Sequence, residues 1–203
     1  MKNSYRTIKK NLFLTGTSGT GKSTLILHKL KSFLSCAAGF ATVRCIDENG
    51  DTIAFQHVPA CRYTTTQKPY TSFEENCFID FSKHIKTIET FHSYSCPLLV
   101  ASDAQKWILM DEIGGYELKD KKIQNAYLNA LNSDLPCIGV IKWIGPDSHL
   151  RSKSHKSEYV QSWEQFIQEF LMTDTVVLHV DDVSIQEAEN VIHEWIQYNL
   201  KGD

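Results

Sequence analysis

Residues 16–23 run Gly-Thr-Ser-Gly-Thr-Gly-Lys-Ser. They fit G-x-x-x-x-G-K-[ST] at every fixed position, and these residue types suit one chemistry. Glycines let the backbone curl so that its N–H groups point inward around a phosphate. A helix beginning near Lys22 aims its positive end at the same anion. Lys22 then reaches the β- and γ-phosphates, and the Ser23 hydroxyl is a ligand for Mg²⁺. The expected nucleotide cradle is Gly16, Thr17, Ser18, Gly19, Thr20, Gly21, Lys22, Ser23 and Thr24. A Gly/Ser/Thr-rich loop can match by chance. Here the context opposes chance, because an apolar strand (Asn11 to Thr15) precedes the loop and an amphipathic helix (Lys22 to Ser35) follows it.

A phosphate loop of this kind needs an acid across the crevice. Trp107-Ile-Leu-Met110 followed by Asp111-Glu112 is an apolar strand ending in two carboxylates. Ligands in such sheets sit at the strands' carboxyl ends. Asp111 is therefore expected to hold Mg²⁺ through its water shell, and Glu112 to act as general base on the attacking water. On its own, the pair would suit a helix N-cap equally well. No Asn-Lys-x-Asp occurs, so the sequence gives no sign of GTPase-type guanine recognition, and Asp111-x-x-Gly114 alone carries little weight. The eight histidines show no H-x-x-x-H pair and the six cysteines no C-x-x-C pair, so no zinc or redox motif is indicated.

Asp111-Glu-Ile-Gly114-Gly-Tyr-Glu117-Leu118 resembles the D-E-I-G-x-M-E-L signature of the small nucleoside-triphosphatase family. These are compact P-loop NTPases of thermophilic bacteria and archaea, with a cancer-related animal member. The resemblance covers most of residues 11–142 and, more loosely, the later strand and helix. It implies Mg²⁺-dependent hydrolysis of nucleoside triphosphates to diphosphates with little base selectivity. It also implies that Glu117 supports the site by ordering Glu112 or the metal waters; the alternative is a solvated acid at a helix start. Tyr116 stands where the family has methionine. The family's hairpin arginine is absent from Gly50-Asp-Thr-Ile-Ala-Phe55, and its later glycine-arginine-tyrosine segment is not evident. The cation for the transferring phosphoryl group is thus unassigned. Arg44, Arg62 and Arg151 are candidates, as is an arginine supplied by a protein partner, and a solvated surface role is open for each. Trp143 is a candidate to stack on the base or to fill the core.

The elements that must position these groups read as α/β, a mainly parallel sheet with helices on both faces. After the first helix, Ala41 to Ile46 and Thr52 to Val58 are strand-like and flank Asn49-Gly50, a β-hairpin inserted at about 40–58. Residues 59–76 read as loop, and about 82–103 as a helix interrupted at Pro97. Lys119 to Asn132 is amphipathic and Cys137 to Ile141 an apolar strand. Residues 143–160 form a long polar connection, a candidate lid. Ser162 with Gln165 and Ser184 with Glu187 are capping-box patterns ahead of two helices, with the strand Thr175 to Val180 between them.

The 203 residues suit a single domain over 1–203, and 42% hydrophobic with 22% charged residues is ordinary for a globular protein. A net charge of −3 argues against broad nucleic-acid binding. The apolar run after the basic MKNSYRTIKK is too short for a signal peptide or a membrane span, so a cytoplasmic protein is expected. The expected function is Mg²⁺-dependent hydrolysis of ATP- or GTP-type nucleotides. Two alternatives stay open: a nucleotide switch or accessory protein with slow hydrolysis, and a small kinase whose lid is the basic run Arg151 to Lys156.

Overall fold

The computed structural model describes residues 8–142 and 158–201. Among these, nine strands form one sheet, in the order β6-β5-β3-β2-β7-β8-β1-β9 with β4 laid beside β2. The strands are β1 (Asn11–Thr15), β2 (Ala37–Ile46), β3 (Thr52–Pro59), β4 (Gln67–Pro69), β5 (Cys77–Asp80), β6 (Ile85–Lys86), β7 (Trp107–Ile113), β8 (Cys137–Ile141) and β9 (Thr175–His179). The helices are α1 (Lys22–Leu30), α2 (Cys96–Leu98), α3 (Lys121–Asn132), α4 (Glu158–Met172) and α5 (Ile185–Ile196). Pairings β2–β7, β7–β8, β8–β1 and β1–β9 are parallel, and β2–β3, β3–β5 and β5–β6 antiparallel. The expected mainly parallel sheet with helices on both faces is present.

Period-two alternation divides the core into two layers. Phe13, Ile108 and Met110 pack with Ile123, Tyr127 and Leu131 of α3 and with Trp163, Phe166 and Phe170 of α4. Their neighbours Leu12, Leu14, Trp107 and Leu109 pack on the other side with Ile26 and Leu30 of α1 and Ile192, Trp195 and Ile196 of α5. Side chains cap two helices, one of them the expected Ser184 box. Asp120 accepts from Lys122 and Ile123 N–H groups at the start of α3, and Ser184 with Glu187 closes a capping box on α5.

The hairpin differs from the expected insertion. Its first arm, β2, is itself a strand of the parallel sheet. Ala37 to Phe40 pair with β7, and Phe40 to Ile46 continue as a ladder with β3. Gly39 allows this. It sits at φ +86°, and a Cβ there would lie 2.0 Å from the Leu109 carbonyl oxygen of β7.

Four further expectations are corrected. The first helix ends at Leu30 and tightens into a 3₁₀ segment, Lys31–Cys36. There the Phe33 carbonyl accepts from the Trp107 indole (3.1 Å) and is lost to the α ladder. The loop at 59–76 contains β4, which pairs with β2 where β7 no longer does. Much of the helix expected at 82–103 is replaced. β6 occupies Ile85–Lys86, and only Glu89 to Leu98 are helical, with Phe91–Ser95 in wide π turns before α2. The Tyr116 hydroxyl holds the neighbouring turn by donating to the Thr87 carbonyl (2.6 Å). Ser162 caps nothing, because α4 already begins at Glu158. Tyr159 donating to Gly114 O (2.7 Å) and Trp163 to Lys142 O (3.0 Å) tie that helix to the site. The lid segment falls, through residue 157, outside the described residues, as do Trp143 and Arg151.

Candidate functional site

β1 lies between β8 and β9, so it delivers Gly16 to the crevice at the carboxyl ends of the parallel strands. Gly19 (φ +84°) and Gly21 (φ +83°) take left-handed conformations with open space around them. Glycine is required there for the path of the chain rather than for room. The Thr20 hydroxyl braces the loop on the Thr17 carbonyl at 2.9 Å. Lys22 leads α1 and folds back over the loop, its Nζ donating to Thr17 O (2.6 Å) and Gly16 O (3.1 Å). Partial burial lowers the Lys22 pKa, against the opposing pull of the Glu112 and Asp181 carboxylates.

Ser23, one residue on, meets the acid of β7. Its hydroxyl donates to Asp111 Oδ1 at 2.8 Å. The other carboxylate oxygen accepts from the Thr42 N–H (3.3 Å), and the Thr42 hydroxyl donates to the Asp111 carbonyl (2.8 Å). Asp111 is 1% exposed, and its described partners are hydroxyl and amide groups, not a cation. Burial first, and then the adjacent Glu112 charge, raise its pKa well above the carboxylate range. A buried carboxylate beside a serine hydroxyl is a donor set that fits Mg²⁺ completed by phosphate oxygens and water. Among the described residues no group of three His, Cys, Asp or Glu is arranged to hold a metal by itself.

Glu112 follows in a conformation rare for its type, φ +63°. The β7–β8 register slips between Met110 and Ile113, so the strand bulges where the side chain turns outward. Glu112 is exposed and lines one cavity of about 160 Å³ with Gly19, Lys22, Ser23, Thr42 and Arg44. The phosphate loop, the buried acid and the exposed acid are thus brought together.

Glu117 is placed differently. It is 2% exposed, and its Oε1 accepts from the N–H groups of Gly114 and Gly115, each at 2.8 Å. Burial raises its pKa, while those amides and the Lys142 charge pull it back. Its described bonds pin the turn that follows Glu112, and the solvated alternative does not hold. Of the candidate cations, Arg44 reaches the cavity, whereas Arg62 is exposed on the 3₁₀ turn Ala60–Arg62.

Three features escaped the sequence. Thr42 anchors Asp111; Thr66 and Gln67 of the β4 segment line the cavity; and Asp181, after β9, accepts from the Thr17 N–H (2.7 Å) and hydroxyl (2.9 Å). No spacing signals the last, since Asp181 lies 164 residues from its partner.

Comparison with known proteins follows the same line. The model of the family described as NTPase matches residues 11–165. Among solved structures, the chain is similar to one titled "Solution Structure of a Human Cancer-Related Nucleoside Triphosphatase", at 18% identity and a TM-score of 0.59 over 95% of this chain and 98% of that one. At that identity the likeness concerns the fold. A search of curated proteins finds no significant match. With the family model spanning three quarters of its length and the phosphate loop facing Asp111 and Glu112, this chain belongs to the NTPase family, the small P-loop hydrolases whose signature it carries.

Proposed function

We propose that the chain is a Mg²⁺-dependent nucleoside-triphosphatase that converts ATP- or GTP-type nucleotides to diphosphate and phosphate. The observation that carries this reading is the contact of Ser23 with Asp111 at 2.8 Å, beside a cavity that Lys22 and Glu112 both line. Gly16 to Thr24 bind the phosphates. Lys22 exchanges its loop carbonyls for β- and γ-phosphate oxygens. Ser23 and Asp111 would hold Mg²⁺, which, when bound, neutralises charge on the phosphates. Glu112 orients the attacking water and takes its proton. Glu117 acts through the backbone of Gly114 and Gly115, fixing the turn on which Glu112 depends. The shared sheet supports one domain over 1–203. The six free cysteines suit a reducing cytoplasm.

The test is phosphate release from each common triphosphate with Mg²⁺ and no acceptor. Steady turnover is expected, abolished in Glu112→Gln with nucleotide binding retained. Binding without phosphate release would sink the reading in favour of a switch. Release only when a phosphoryl acceptor is added would favour a kinase.

A further inference from the structure

We infer that Arg44 is the group that meets the transferring phosphoryl, which makes the hydrolytic site complete within one chain. This rests on the hydrolytic reading above. It addresses the cation that the signature leaves unassigned.

Strand geometry places Arg44. Residues two apart on a strand share a face. Thr42 is fixed over Asp111 by both its N–H and its hydroxyl. Arg44 is one step further along that face and enters the cavity lined by Lys22, Ser23 and Glu112. Its backbone is held on both edges. It pairs with Phe55 of β3 and with Gln67 of β4, and its N–H donates to Thr66 O at 3.0 Å. A cation on a strand clamped this way is preorganised, and preorganisation is what makes charge stabilisation effective in a transition state.

Charge supports the placement. Arg44 forms no ion pair with any described residue. Lys22 and Arg44 line one cavity as two cations, and among the described residues no carboxylate forms an ion pair with either. Beside them the buried Tyr63 hydroxyl, within reach of the Asp111, Glu112 and Arg44 charges, has no hydrogen-bond partner among the described residues. Arg62 offers no equivalent; it is exposed, and its field acts on Tyr94.

In the reaction, the water oxygen forms a bond to the γ-phosphorus while the bond to the β–γ bridging oxygen breaks. The electron pair stays on that bridging oxygen, and the water proton passes to the Glu112 carboxylate. Arg44 donates to the γ-oxygens as their charge spreads. A cation so placed is worth more in the transition state than in the ground state.

The experiment measures kcat, nucleoside diphosphate affinity and trapping of the diphosphate–aluminium fluoride complex in the full chain and in Arg44→Ala, Arg44→Gln and Arg44→Lys. Wild type is expected to turn over without a partner. Arg44→Ala should lose about 10²–10³-fold in kcat and fail to trap the fluoride complex, with diphosphate affinity within about threefold. Added guanidinium should restore part of the Arg44→Ala rate, and Arg44→Lys should keep more activity than Arg44→Gln. If Arg44→Ala does not fold, the last two variants decide. Wild-type kcat in the variants overturns the assignment of Arg44 alone. Parallel loss of kcat and diphosphate binding, with no guanidinium rescue, also overturns it, in favour of a structural role. A wild-type chain that binds nucleotide but releases no phosphate overturns both this inference and the hydrolytic reading.

Discussion

At Asp111, stability and activity oppose each other. Among the described residues no cation is bonded to the buried carboxylate, and burial raises its pKa. A carboxyl group whose folded pKa exceeds its unfolded value favours the folded state at low pH, and that contribution fades as pH rises through the raised value. The metal-free chain is therefore expected to lose stability as pH rises from 6 to 8. Asp111→Asn removes this dependence, and urea titrations at the two pH values should show it. At pH 8 the variant should be more stable than wild type by on the order of 1–3 kcal/mol, with Mg²⁺-dependent turnover gone. A variant less stable than wild type at pH 8 would contradict the account. Arg44 shows the limit of reading at this scale. Its type and position were visible, but its aim depends on the register of three strands, and no single run of residues discloses that.

At the scale of elements, contiguity decides what can be read. The phosphate loop and the Asp111-Glu112 pair were legible because their chemistry is written in consecutive residues on either side of apolar runs. The amphipathic faces of α3 and α5 were legible for the same reason. β4 and β6, of three and two residues, are too short to show any period and exist only through their neighbours. The capping pattern at Ser162 was misleading because Ser162 already lies inside α4, which is tied to Gly114 and Lys142 through Tyr159 and Trp163. The long strand β2 joins core to hairpin only because Gly39 lets it lie against Leu109. Gly39→Ala puts a Cβ on that carbonyl at positive φ and is expected to cost about 3–5 kcal/mol, read from the urea midpoint. A loss below about 1 kcal/mol would show that β7 yields easily there.

For the whole molecule, ligand binding and folding are linked through the sheet. Anything that binds the folded chain alone stabilises it by mass action. Nucleotide with Mg²⁺ at about 100 times its Kd adds about 2.7 kcal/mol. For a chain of this size that is roughly a 5–10 °C rise in Tm. Lys22→Ala should abolish most of the shift, since the ammonium is the mobile phosphate ligand of the cradle. An unchanged shift in that variant would overturn the site assignment. Fold class was legible from the alternation of strands and helices. Strand order was not, because it rests on pairings between segments far apart in the chain, such as Leu12 with Ile138 and with Val176.

That strand order has a consequence for biosynthesis. β1 is flanked by β8 and β9, and Asp181 closes on Thr17. The phosphate loop is written early and completed late. A ribosome adding about 5–20 residues per second takes roughly ten to thirty seconds to pass from residue 17 to residue 181. Throughout that interval β1 waits for the strands that will flank it. Nucleotide capture by a nascent chain thus reports that β9 has emerged and docked, and a ribosome stalled before it would display the motif without the site.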